Sequence, residues 1–220
     1  MRVLSLVKIL SLSDKKIPFI YSPSVHKRFE HIDLVIGCGD LPYYYLEYVL
    51  TALGVPLFYV RGNHDHEVEF SAIGKRRNPQ GGQDLNRRAI NLNGITLAGI
   101  EGSIRYKPGS FQNTQAEMWH LVFQLVPKMI FNRITNGHYL DIFVTHAPPN
   151  GIHDREDLPH HGVNAFRWFI KVFQPALHFH GHIHLYRPDD PSESMFGKTR
   201  VINTYGYKET DFEIEDMGDA

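Results

Sequence analysis

The chain has 220 residues, 42% hydrophobic and 21% charged, with a formal net charge of -1. That length fits one hydrophobic core. The balance excludes a disordered chain, and it excludes a global field that would draw the protein to nucleic acid or an anionic membrane.

A single cysteine, Cys38, excludes an internal disulfide framework and fits a reducing, cytoplasmic setting. The apolar start, residues 1–12, is too short to span a bilayer and lacks a small-residue cleavage site, so it reads as a strand rather than a leader. Within it, residues 7–12 alternate and end at Ser13-Asp14. A second apolar run, residues 34–36, stops at Gly37-Cys38-Gly39-Asp40, and a third, residues 57–60, stops at Arg61-Gly62-Asn63-His64-Asp65. Between them residues 24–31 and 43–53 carry apolar side chains at helical spacing, the second followed by Gly54 and Pro56.

Residues 74–88 are basic and loop-like, with Lys75-Arg76-Arg77 and Arg87-Arg88 expected as solvated faces. Residues 95–100 read as a strand, and 112–134 as a helical stretch interrupted by Pro127. Residues 140–145 form a strand leading to His146-Ala147-Pro148-Pro149, 164–173 an amphipathic helix, and 177–180 a buried strand ending at Gly181-His182-Ile183-His184. Residues 201–203 add a closing strand, and the acidic tail, 213–220, is expected to fray. No internal repeat appears, so residues 1–220 are expected to form one domain.

Strand-helix-strand units gather their ligands where loops leave the carboxyl ends of the strands. Asp14, Asp40, Asn63, His146, His182 and His184 all fall at such ends. Carboxylate and amide oxygens mixed with imidazole nitrogens suit manganese, iron, nickel or zinc, whereas a soft-metal site would need thiolates. Taken singly each residue is most simply a cap or turn; jointly they point to metal binding.

The blocks Gly39-Asp40, Gly62-Asn63-His64-Asp65, Thr145-His146-Ala147-Pro148-Pro149 and Gly181-His182-Ile183-His184, in this order, resemble the calcineurin-like metallophosphoesterases. The resemblance runs from residue 7 to about residue 205. It implies a four-layer α/β/β/α sandwich with two central mixed sheets. It also implies hydrolysis of a small phosphate ester by water at one or two divalent ions. By position, Asp40 would bridge two ions, Asn63, His146 and His182 would complete one shell, and Asp14 with His184 would serve the other. His64 would stabilise the phosphoryl charge or protonate the leaving oxygen, and Asp65 would hold His64 in one tautomer.

The family's first block reads Asp, any residue, His, where this chain has Asp14-Lys15-Lys16. Lys16 is expected to turn outward, leaving one shell a ligand short unless His153, His160 or His161 is recruited. Tyr43 stands where the family often has the Asp or Arg that partners the catalytic histidine. Arg61 is expected as a salt-bridged strand-end residue, with a phosphate clamp as its alternative role. The segment containing His153, His160 and His161 is a candidate substrate rim. The small chain favours phosphodiesters over monoesters. The rival functions are a scaffold that keeps the fold for a protein partner, motivated by Lys16, and a nuclease, which the near-neutral charge argues against.

Overall fold

A continuous apolar run can be a strand only where both of its faces are covered, and Leu34–Cys38 is buried at all five positions. The computed structural model, which describes residues 4–71, 74–187 and 189–215, shows how that cover is built. The strands in chain order are β1 (Leu4–Ser13), β2 (Leu34–Cys38), β3 (Leu57–Val60), β4 (Glu69–Ser71), β5 (Gly74–Arg76), β6 (Gln83–Asp84), β7 (Ala89–Leu92) and β8 (Ile95–Ile100). They continue with β9 (Ser103–Ile104), β10 (Gln112–Asn113), β11 (Ile142–Thr145), β12 (Leu177–His180), β13 (Glu193–Phe196), β14 (Thr199–Asn203) and β15 (Gly206–Glu215). The helices are α1 (Val25–Arg28), α2 (Tyr43–Leu53), α3 (Gln115–Phe123), α4 (Val126–Asn136) and α5 (Asn164–Phe173).

One sheet has the order β15-β1-β2-β3-β6 and the other β13-β14-β12-β11-β8-β7. Both are mixed: the central strands run parallel, while β15 in the first sheet and β13 and β7 in the second pair antiparallel. Because side chains alternate across a strand, each sheet offers two faces. Ile9, Ile36, Phe58 and Val60 of the first sheet meet Leu97, Ile142, Val144 and Phe179 of the second in a central layer. The other face of the first sheet, with Leu10, Val35 and Tyr59, packs on Tyr45, Leu46 and Val49 of α2. The other face of the second, with Ala98, Ile100 and Phe143, packs on α3, α4 and α5 through Met118, Met129, Phe166 and Phe169. This is the expected α/β/β/α sandwich.

Three elements differ from the sequence reading. Only one turn of the helix expected over 24–31 forms, because the chain leaves it at Phe29 and is already paired at Asp33, whose amide donates to the Lys8 carbonyl. The helical stretch from 112 is split between α3, closed by a Thr114/Glu117 capping box, and α4, where Pro127 occupies the first turn and its missing N–H has no partner to lose. The tail expected to fray from 213 is strand as far as Glu215, and residues 216–220 lie outside the described residues. β15 is an edge strand whose alternating Glu209, Asp211 and Glu213 are exposed, and Asp211 accepts from Lys8 directly across the ladder at 3.2 Å. No helix among the described residues is long and apolar enough to cross a membrane.

Candidate metal centre

Register brings the ligands together. Parallel pairing sets Leu12 beside Gly37 and Cys38 beside Val60, so the chain leaves β1, β2 and β3 at one edge, carrying Asp14, Asp40 and Asn63. In the second sheet β11 and β12 end in the same direction, delivering His146 and then His182 and His184. Ligand atoms of Asp14, Asp40 and His146 all lie within 4.8 Å of one another, a grouping able to hold a metal ion. Three positions there adopt left-handed backbone despite bearing side chains: Asp14 at φ 61, Asp40 at φ 56 and His182 at φ 67. Each costs on the order of 1–3 kcal/mol and persists only because its surroundings impose it.

The imidazole of His146 is fully buried, and its Nδ1 lies 2.8 Å from the Cys38 carbonyl oxygen. A carbonyl can only accept, so Nδ1 carries the hydrogen and Nε2 turns its lone pair inward. There Nε2 faces Asn63 Oδ1 at 2.9 Å and Asp40 Oδ2 at 3.4 Å. The Asn63 amide is oriented by its Nδ2 donating to Tyr106 Oη at 3.3 Å. Three acceptor atoms thus converge on one point, which calls for a cation.

In the metal-free chain a proton takes that place. Burial opposes the charge on His146, but the adjacent Asp40 overrides it and lifts the imidazole to about 10. Asp40 behaves conversely: burial would raise it, yet His146 and the amide of His64, which donates to Oδ1 at 2.8 Å, hold it at about 2.

Asp14 points its Oδ2 at the backbone amide of His182 at 2.9 Å, while its buried Oδ1 has no hydrogen-bond partner and lies 3.7 Å from His184 Nε2. His182 donates from Nε2 to the Pro159 carbonyl at 2.7 Å, which leaves Nδ1 as its free lone pair. Burial, and then the charge of His146, push His182 down to about 4, so it is neutral and ready to ligate. His184 Nδ1 meets Tyr186 Oη at 2.8 Å, directing Nε2 toward Asp14. The orphaned carboxylate oxygen, the convergent lone pairs and the oxygen/imidazole donor set together fit a borderline divalent cation. Space is reserved as well: a Cβ on Gly62 would stand 2.1 Å from Asp40 Oδ1.

The remaining expected residues are placed less uniformly. His64 is exposed beside the centre, and among the described residues its ring makes no hydrogen bond. Asp65 does not hold that ring. Its Oδ2 accepts from the amides of Gly62 at 2.8 Å and Asp40 at 3.0 Å, tying two ligand loops together, and burial with the Asp40 charge raises it to about 7.

Arg61 has no N–H left over for a phosphate. Its five N–H groups are spent on Tyr43 Oη, Asp84, Glu101, the Arg77 carbonyl and Asn78, the salt-bridged role favoured above. Tyr43 correspondingly belongs to this Arg61 network. Lys16 turns outward to Tyr44 Oη at 2.6 Å.

None of the three histidines considered as replacements joins Asp14: His153 bonds His180 and Ser194, His160 bonds Asp157, and His161 lies against Asn150. Sequence reading missed Tyr106, Tyr186 and the carbonyls of Cys38 and Pro159. Only Tyr186, two residues beyond a ligand, left any signal, because a backbone carbonyl has no residue-type signature.

The fold and this constellation are of the calcineurin-like phosphoesterase class, and the family profile agrees. The sequence matches the profile of the calcineurin-like phosphoesterases over residues 12–186, and the chain belongs to that family. A solved protein of Thermus thermophilus is similar in fold, with a TM-score of 0.62 and 15% identity over 92% of this chain and 90% of its own. A phosphatase of Mycoplasma pneumoniae gives a TM-score of 0.48 at 15% identity, covering 92% of this chain and 73% of its own. An archaeal phosphodiesterase gives 0.41 at 13%, covering 94% and 100%. No curated protein matches the sequence.

Proposed function

We propose that the protein hydrolyses phosphate esters with water in a reaction that requires a divalent cation, and that diesters are its preferred class. The observation that carries this is the convergence of His146 Nε2, Asn63 Oδ1 and Asp40 Oδ2 beside the unpaired oxygen of Asp14. Asn63, His146 and His182 would hold one cation, Asp14 and His184 a second, with Asp40 between. Bound there, such ions supply Lewis-acid chemistry, making a water more acidic and neutralising phosphate charge.

The chain's own residues do the rest. Asp40 stays ionised because His146 and the His64 amide stabilise its charge, so it is ready to ligate. The carbonyls of Cys38 and Pro159 fix the tautomers of His146 and His182 in advance, so no reorientation is needed when substrate arrives. His64, exposed at the rim and anchored through its backbone to Asp40, reaches outward to donate a proton to the departing oxygen.

Turnover of bis(p-nitrophenyl) phosphate and p-nitrophenyl phosphate, measured with manganese and again after chelation, tests this. Chelator-sensitive hydrolysis is expected, faster for the diester. His64→Ala should keep manganese loading and lose about 10²- to 10⁴-fold in rate on alkyl esters, whose leaving groups need the proton most. Lys16, turned away to Tyr44, leaves the Asp14 side short of a nitrogen ligand, which is the ground for the scaffold alternative. Failure of folded, manganese-loaded protein to cleave either ester would decide for the scaffold.

A further inference from the structure

Directly behind the ligand histidines runs a chain of polar groups that the reaction itself does not use. His180, fully buried at the end of β12, places Nδ1 2.9 Å from the carbonyl oxygen of Gly181. The carbonyl must accept, so that nitrogen carries the hydrogen and Nε2 is left as a lone pair. His153 Nδ1 lies 2.9 Å from this Nε2 and is therefore the donor. His153 Nε2, in turn, accepts from the Ser194 hydroxyl at 2.9 Å. One direction of donation follows: Ser194 to His153, His153 to His180, His180 to Gly181. It requires both rings neutral, and burial pushes both below their ordinary range.

The two ends of this chain sit on parts that the cation site depends on. Gly181 begins the turn that carries His182 and His184; its amide donates to the His146 carbonyl at 2.9 Å and its own carbonyl also accepts from Ile183 at 2.8 Å. His153, held at φ 61, belongs to the loop between β11 and α5. The same loop supplies the Pro159 carbonyl that receives the Nε2 hydrogen of His182 at 2.7 Å. Three side-chain bonds therefore join this loop to the end of β12 and the turn that follows it: His153 to His180, His182 to Pro159, and Arg155 to the His184 carbonyl. Of these only the first ties the loop to β12 itself, so its loss would leave the position of Pro159 against His182 less constrained.

We propose that His153 and His180 are positioning residues for the cation site: their hydrogen bond holds the Pro159 loop against β12 and so keeps His182 with its Nδ1 free to ligate. The functional consequence rests on the metal binding proposed above, whereas the tautomer itself does not.

The test therefore has two arms. In metal-free protein, long-range nitrogen-proton NMR correlations report the tautomer of His182, expected as Nε2–H. His153→Leu, which fills the space without the bond, should give a mixture, and His153→Asn, whose Nδ2 occupies the place of Nδ1, should restore the single form. In the second arm, competition with a chelator should show manganese affinity reduced about 10- to 100-fold in His153→Leu and close to wild type in His153→Asn.

A folded His153→Leu with an unchanged His182 pattern and unchanged affinity would overturn the proposal. So would a loss in His153→Asn equal to that in His153→Leu, which also decides the matter should the leucine variant not fold. If wild-type protein bound no manganese, the function proposed above would fail while the NMR arm still judged the positioning role.

Discussion

Metal-stripped protein should carry a pH signature of the His146–Asp40 pair. Burial alone would push His146 down, but Asp40 raises it to about 10, while an unfolded chain titrates histidine near about 6.5. Between those values the folded protein holds a proton that the unfolded chain has lost. The stabilisation is thus fully present below the unfolded value and is lost as pH rises through the folded one. One proton corresponds to a slope of about -1.4 kcal/mol per pH unit.

Two neighbours limit where this can be read. Asp65, raised to about 7 by burial and by Asp40, also loses stability on deprotonation, but that loss is largely over by about pH 8. Cys38, pushed up by burial, adds a slope of the same sign once an unfolded thiol ionises, near and above about pH 9. Around pH 8, from about 7.5 to 8.5, His146 therefore makes the largest contribution to the slope.

Asp40→Asn keeps an oxygen for the His64 amide and removes the charge that chiefly offsets burial, leaving only Asp14 and the Cys38 carbonyl to favour the imidazolium, so the slope in that interval should become clearly shallower. Urea unfolding with chelator present, followed by the fluorescence of Trp119 and Trp168, measures both slopes. Equal slopes in wild type and Asp40→Asn would refute this electrostatic account.

Arg61→Ala should cost about 3–5 kcal/mol by stranding Asp84 and Glu101 without a cation, seen as a lower thermal midpoint with unchanged KM. A raised KM at wild-type stability would return the guanidinium to substrate binding. Gly62→Ala places a Cβ where Asp40 Oδ1 now lies and should weaken manganese binding at least about tenfold by calorimetry; wild-type affinity would mean the loop tolerates what its geometry excludes. Lys16→His supplies the nitrogen ligand missing beside Asp14 and should raise the metal content per chain, which elemental analysis of desalted protein would contradict by finding no change.

The strands of both sheets that carry ligands could be read directly, because a strand covered on both faces must be a short apolar run and its end must be marked by glycine or a polar residue. Leu34–Cys38 and Leu57–Val60 are such runs, while Leu177–His180 is a buried strand that alternates Leu and Phe with His178 and His180. β15 was hidden for the opposite reason: half of an edge strand faces solvent, and Glu209, Asp211 and Glu213 make it look like a tail until Phe212 is seen packing against the central layer.

Sequence by itself determined which residue types stand at the strand ends, and with them the hard-to-borderline donor set that a divalent ion would require. Tertiary structure alone decided what each of the chain's 14 histidines can do. His146 and His182 face the centre because two backbone carbonyls take their other hydrogens, whereas His153 and His180 are consumed by each other. A tautomer is set by the partner across a hydrogen bond, and that partner can be a hundred residues away, as Cys38 is from His146.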